Sequence, residues 1–397
     1  MTKNILAIEL GSENLKVVVL QQIKPDYKVI DYKILPLSEK AYDMDGYLNV
    51  NEVKPTLEDA LLQLNVKKMP VALTVNTNKK IVRTRDLPLS NLKELDGIVK
   101  FEAGQFLPYG IDQFYLDYRV IGSGNLSSDN SDSEKETGEA VKVMIGAVPK
   151  DAMNPYLELL NACNCKVLSI TLHTDAIYSY AKQHFLEEGS SVVICDIGEN
   201  SINTILFENY EFLADISSDN GMFNVIEHFS IKHGISHKDS KACLLGQLDV
   251  ILSKNETEVD QLYRKIEKLN QFVSSDAVTA PNTGSSAEES STLTTENASK
   301  SYKASDAIQE SITEVYADIL KEISRMMEFY RTRRFGTRVN VIYLCGGGSK
   351  LVGLHAFLKQ RLGIDNIHLI SENNTHPLQD DGDLNLIVAA IGGALGR

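Results

Sequence analysis

Apolar and polar positions fall into blocks that read as strands and helices in turn. Ile5 to Leu20 (ILAIELGSENLKVVVL) places two apolar runs on either side of a short polar turn, the pattern of a β-hairpin. Val192 to Phe207 (VVICDIGENSINTILF) repeats it: strand, acidic residue, apolar residue, Gly, polar turn, second strand. Glu9 matches Asp196 and Gly11 matches Gly198, both at an offset of 187 residues. A third strand follows each hairpin, Tyr27 to Leu35 and Glu211 to Ile216. A repeat nearly half the chain apart predicts two related α/β domains.

Between the repeats the period changes. Lys80 to Leu87 reads as a strand, and Asn91 to Phe106 as a helix with Leu92, Leu95, Ile98 and Val99 inward. Phe114 to Ile121 and Ala140 to Val148 read as strands, and Met153 to Ala162 as a helix. This predicts an α+β module at 80–165, inserted into a first domain of 1–79 and 166–188 that closes with a helix around Asp175 to Phe185. The second domain takes 189–234 and 336–397. Residues 235–335 make a helical subdomain, with one stripe from Val259 through Leu262, Tyr263, Ile266 and Leu269 to Phe272. A second stripe runs from Ile308 through Ile312, Val315, Ile319, Ile323 and Met326 to Tyr330. The polar stretches 123–139 and 274–306 hold almost nothing to bury, so flexible loops are expected there.

Composition narrows the class. The chain has 397 residues, 43% of them hydrophobic, which permits several domains with real cores. Its formal charge of -14 argues against a general nucleic-acid binder, which needs a clustered positive surface. No apolar run approaches the ~18 residues of a membrane span, and no signal peptide opens the sequence. Cys163, Cys165, Cys195, Cys243 and Cys345 are scattered without a C-x-x-C pair, which suits reduced thiols in the cytoplasm.

Three stretches could carry chemistry. The turns Gly11-Ser12-Glu13-Asn14 and Gly198-Glu199-Asn200-Ser201 could form anion-binding nests, with Lys16 adding positive charge to the first. Glu9 and Asp196, two positions before each Gly, could hold a hydrated Mg²⁺ accompanying nucleotide phosphates. Singly, each turn is an ordinary hairpin tip; the repetition makes them a candidate site. The third stretch is a strand running into Gly346-Gly347-Gly348-Ser349 and then a helix with Leu354, Phe357 and Leu358. There the backbone could meet a flat ligand beside a helix N-terminus, or the glycines could serve only a close helix–strand crossing. No Walker A loop and no G-x-S-x-G elbow occurs. Arg331, Arg333, Arg334 and Arg338 read as a solvated helix end, Met326 and Met327 as core, and the histidines lack metal-ligand spacing.

Two matched hairpins and a late strand-GGGS turn resemble the phosphate 1, phosphate 2 and adenosine motifs of the actin-like ATPase superfamily. The runs Val82 to Val120, Val141 to Ile170, Ile226 to Leu244 and the closing NLIVAAIGGALGR resemble the PilM-like type IV pilus assembly proteins, relatives of FtsA. That resemblance implies two RNase H-like domains around a nucleotide cleft, with an inserted 1C subdomain and ATP or ADP with Mg²⁺ as cofactor. It further implies a cytoplasmic adaptor held at the inner membrane face only through partners. Those would be the N-terminal peptide of a PilN-like inner-membrane protein in the 1A/1C groove, the pilus assembly ATPase and the platform protein; self-association is compatible with it. Arg83 to Tyr118 would supply one wall of the groove. Glu9 replaces the family's usual Asp, and Glu199-Asn200-Ser201 its small hydroxyl residues. No residue qualifies as a general base, so binding is expected rather than efficient hydrolysis. An FtsA-like membrane tether would need a terminal amphipathic helix. A sugar kinase or phosphatase would need a catalytic carboxylate and would not carry the 80–165 module.

Overall fold

The computed structural model describes residues 4–23, 26–66, 68–88, 92–124, 140–246, 315–333, 337–370 and 383–396. The stripe from Val259 to Phe272, the start of the second stripe at Ile308 and Ile312, and the insert 274–306 lie outside these residues, as does nearly all of the insert 123–139. By internal contacts the chain divides into two units. Unit one comprises Met1–Ile194, Asn203–Ser217 and Ile370–Arg397; unit two comprises Cys195–Ile202 and Ser218–Leu369.

Unit one is built on a five-stranded sheet. The hairpin of β1 (Asn4–Leu10) and β2 (Asn14–Ile23) is extended by β3 (Asp26–Pro36) on one side. On the other side β4 (Pro70–Val75) lies parallel to β1, and β8 (Lys166–Leu172) parallel to β4, giving the order β3-β2-β1-β4-β8. The strands β1 and β2 are near-continuous apolar runs because both faces are covered. On one face Leu6, Ile8 and Leu10 pack with Val53 and Leu57 of α1 (Val50–Gln63) and with Met153, Tyr156 and Leu160 of α3 (Lys150–Ala162). On the other lie α4 (His173–His184) and α9 (Leu384–Leu395).

The inserted module has its own three-stranded antiparallel sheet, ordered β5-β7-β6, from β5 (Ile81–Pro88), β6 (Phe114–Gly124) and β7 (Ala140–Pro149). Leu95, Val99 and Ala103 of α2 (Leu92–Phe106) meet Leu87, Val143 and Ile145 in its core. The buried residues of that core run from Leu87 to Ala147. The apolar stripe of α3 joins the core of the first sheet instead.

The second sheet contains β9 (Ser191–Ile197), β10 (Ile202–Glu208), β11 (Glu211–Ser218), β12 (Val341–Cys345) and β13 (Ile367–Leu369). Its order, β11-β10-β9-β12-β13, is the third-second-first-fourth-fifth sequence of the first sheet, the architecture expected of a duplicated unit. Unit two adds α5 (Met222–His233), α6 (His237–Leu244), α7 (Ala317–Arg333) and α8 (Leu354–Leu362). In α7, Ile319, Ile323, Met326 and Tyr330 are buried, as the stripe predicts, while Arg331 and Arg333 are exposed at its end.

The contact units divide the chain differently from the expected domains: residues 203–217 and 370–397, both expected in the second domain, group with unit one. The helix α9 is buried over nearly its whole length, and Thr74 Oγ1 of β4 donates to its Ala389 carbonyl at 3.0 Å. An all-round apolar helix must be enclosed, and sheet one with α4 encloses it. Among the described residues no helix is long and apolar enough to cross a membrane.

Candidate functional site

The two hairpin turns are closed by the same bond. Gly11 N–H donates to the Asn14 carbonyl at 3.0 Å, and Gly198 N–H to the Ser201 carbonyl at 2.8 Å. Ser12 and Asn200 are exposed at the tips. In unit one, Glu9 is 3% exposed and faces Lys16 across the β1–β2 register, where Lys16 Nζ meets Glu9 Oε1 at 2.7 Å. The second oxygen, Glu9 Oε2, is buried without a hydrogen-bond partner. The positive charge expected to face a phosphate is thus engaged with the carboxylate expected to face a metal. Asn14 Nδ2 reaches Glu13 Oε2 at 3.5 Å within the same turn.

In unit two, the second hairpin and the GGGS turn come together. Gly346, in the left-handed region at φ +81°, lies so close to the end of β9 that a Cβ there would stand 2.1 Å from Asp196 Oδ1 and 2.6 Å from the Ile197 carbonyl. Gly348 abuts the Ile197 side chain. The sequence predicts a helix N-terminus here, but Gly347–Lys350 form a short 3-10 turn and α8 begins only at Leu354. The Ser349 hydroxyl is buried and donates to the Gly346 carbonyl at 2.6 Å, so it closes this turn. A Cβ built at Gly347 would meet Met222 Cε at 3.8 Å, an ordinary van der Waals contact. Glu199, whose charge would repel a phosphate, is turned toward Lys241 of α6 at 3.3 Å. The carbonyls of Gly198 and Glu199 accept from the first N–H groups of α5, Met222 at 2.9 Å and Phe223 at 2.8 Å, which braces the turn.

A separate groove of about 650 Å³ lies in unit one. One wall is β6 from Tyr115 to Arg119, with Val82 of β5 and Met144 of β7; the other is Ser169 to Leu172 of β8, with Met153 and Leu157 of α3. Of the expected Arg83–Tyr118 wall, Tyr115 to Tyr118 line this groove. At one end Arg119 Nε meets Asp175 Oδ1 at 2.6 Å, and Arg119 also donates to the Gly396 carbonyl. Burial pushes the Asp175 carboxyl above its ordinary range, and Arg119 pulls it part of the way back.

Sequence reading missed Lys241, Arg119 and Tyr42, whose hydroxyl donates to the Gly11 carbonyl at 3.1 Å. Each reaches its partner across 31 to 277 residues, a distance no local pattern reports. Among the described residues no cluster of His, Cys, Asp and Glu is placed to hold a metal ion directly.

A family model described as "Type IV pilus assembly protein PilM" matches residues 7–241. Among solved structures, a PilM-PilN type IV pilus biogenesis complex is similar over 98% of this chain and 97% of that chain, at 19% identity and a TM-score of 0.67. Ethanolamine utilization protein EutJ from Carboxydothermus hydrogenoformans aligns over 100% of this chain and 90% of its own, at 10% identity and a TM-score of 0.49. The activator of the 2-hydroxyisocaproyl-CoA dehydratase from Clostridium difficile, with bound ADPNP, aligns over 100% and 93%, at 10% identity and a TM-score of 0.41.

Proposed function

Because this chain belongs to the family of type IV pilus assembly proteins PilM and has the actin-like ATPase fold, we propose that it is a nucleotide-binding adaptor of a type IV pilus assembly machine. In this reading it works in the cytoplasm at the inner membrane face, where it docks the N-terminal peptide of a PilN-like inner-membrane protein. Other faces would meet the assembly ATPase and platform protein.

The groove of unit one carries this reading. Both long walls are terminal strands, β8 ending the first sheet and β6 ending the module's sheet. An extended peptide laid between them can pair its backbone with a strand edge and place alternate side chains against Leu116, Met144, Leu157 and Ile170.

The proposed cofactor is ATP or ADP with Mg²⁺. Gly346 and Gly348 hold the backbone against Asp196 and Ile197, and the base is proposed to lie beside Gly347. Within unit two the Asp196 carboxylate is an oxygen ligand of the kind that holds Mg²⁺ through water, and within unit one the buried Glu9 Oε2 is another. The metal would offset charge on the phosphates. With Glu199 held by Lys241, the second turn presents no free negative charge to them.

The test is capture of a synthetic peptide copying the cytosolic N-terminus of a PilN-like protein from the same organism. Leu157→Arg should weaken capture about tenfold or more, as expected for an anchor in a desolvated pocket, with the thermal midpoint unchanged. Undiminished capture by that variant would reject the groove as the docking site.

A further inference from the structure

The strand β3 ends the first sheet, and no other described strand pairs with its outer edge. At 11 residues it is long for an edge strand. An unpaired edge presents a row of backbone N–H and C=O groups to any strand that can reach it. Lys28, Ile30 and Asp31 are exposed along β3, and Lys33 is half-buried. Among the described residues none of Lys28, Asp31 and Lys33 is in an ion pair.

These charges are ordered. From Asp26 to Lys33 the strand reads D-Y-K-V-I-D-Y-K. In a regular strand Lys28 and Asp31, three apart, would point to opposite faces. A bulge changes this: Val29 pairs with Leu20 and Asp31 with Val19, so Ile30 is an extra residue. Lys28 thereby stands opposite Gln21, Asp31 opposite Val19 and Lys33 opposite Val17, alternate positions of β2 that share one face. Asp26 holds the next position of the same series, opposite Ile23. The series reads acid, base, acid, base along one face. Antiparallel pairing with a second β3, about a two-fold axis between Val29 and Ile30, sets Lys28 against Asp31 and Asp26 against Lys33, each twice. The other positions match too, Tyr27 against Tyr32 and Val29 against Ile30. A slip of two residues sets Lys28 against Lys33 or Asp26 against Asp31, and parallel in-register pairing sets every charge against its like. One register is complementary and its neighbours are repulsive.

We propose that β3 is a dimerisation edge whose partner is the β3 of a second copy of this chain, joined antiparallel in the register that pairs Lys28 with Asp31. A two-fold pair of this kind closes on itself and does not propagate. Both strands carry the same extra residue between Lys28 and Asp31, so the register holds across the axis. Ile30, 48% exposed in the single chain, is covered at the centre, with charge pairs on either side. Tyr32 N–H, bonded to Asp31 Oδ1 at 2.8 Å in the single chain, takes a carbonyl of the facing strand, and Asp31 turns to Lys28 of the second copy. The other end of the sheet is β8, so pairing at β3 leaves the groove beside β8 uncovered. The dimer holds two such grooves and gains avidity for any partner that is itself presented in two copies.

Sedimentation equilibrium of the full chain at up to about 100 µM, above the range of weak specific complexes, should show a monomer–dimer equilibrium that weakens with added salt. Lys28→Glu and Asp31→Lys each set like charges together twice per dimer and should weaken self-association about tenfold or more. Their thermal midpoints should match the wild type, because both positions are exposed. Mixed in equal amounts, the two variants should recover a dimer of wild-type strength, since each supplies the charge the other lacks. A general structural defect would not be rescued by mixing. If either single variant does not fold, the double variant Lys28→Glu with Asp31→Lys, which restores every pair, decides by the same measurement. A wild-type chain that stays monomeric over this range overturns the proposal. So do single variants that dimerise like the wild type, or a mixture or double variant that fails to pair.

Discussion

Two adjacent glycines of the GGGS turn have opposite jobs, and side chains added to them separate stability from binding. A Cβ at Gly346 meets Asp196 Oδ1 at 2.1 Å from a left-handed backbone, so Gly346→Ala should cost about 2–4 kcal/mol in urea unfolding. A Cβ at Gly347 meets only Met222 Cε at 3.8 Å. Gly347→Leu should therefore fold normally and weaken MgATP binding about tenfold or more; unchanged affinity would remove the turn from the nucleotide site. Asp175 offers a pH signature. Its folded pKa is raised, first by burial, so the stability it contributes is present below its unfolded value of about 4 and is lost as pH rises through the folded value. Asp175→Asn should flatten that part of a thermal-midpoint profile as pH rises from the unfolded value of about 4. The residues of the turns were legible because glycine and acid recur in register. Their partners were not: Glu199 finds Lys241, and Gly11 finds Tyr42, only after distant segments fold onto them.

Elements followed the periodicity closely. The expected strand Tyr27 to Leu35 is Asp26–Pro36, and the expected helix Asn91 to Phe106 is Leu92–Phe106. Both lie in segments where burial on one face is set by residues two or three to four apart, which sequence displays directly. The partner chosen by an apolar helix is not displayed. The stripe of α3 suited the module as well as the first sheet, and the uniformly apolar α9 carried no face at all. Its contact is nonetheless specific, because a Cβ at Gly392 would stand 2.0 Å from the Ala176 carbonyl of α4. Gly392→Val should force the two helices apart and cost about 3 kcal/mol or more, read from the denaturation midpoint. Ile391→Ala, which empties a fully buried position, should cost about 2–5 kcal/mol without that displacement.

At the scale of the molecule, the repeat was readable as two sheets of one design, and the common strand order supports that reading. The contact units cut the chain differently from the repeat, because residues 203–217 and 370–397 join unit one. Deleting 384–397 should leave one face of the first sheet uncovered, with a large rise in binding of a hydrophobic dye and a lowered thermal midpoint; a midpoint within a degree or so of the full chain would contradict the packing. The position of α9 along the chain also sets a clock. A ribosome adding roughly 5–20 residues per second makes β1 within its first seconds and α9 only some 370 residues later. For most of synthesis the first sheet waits with an apolar face open. A nascent chain halted before α9 is therefore expected to be captured by chaperones that bind exposed apolar surface.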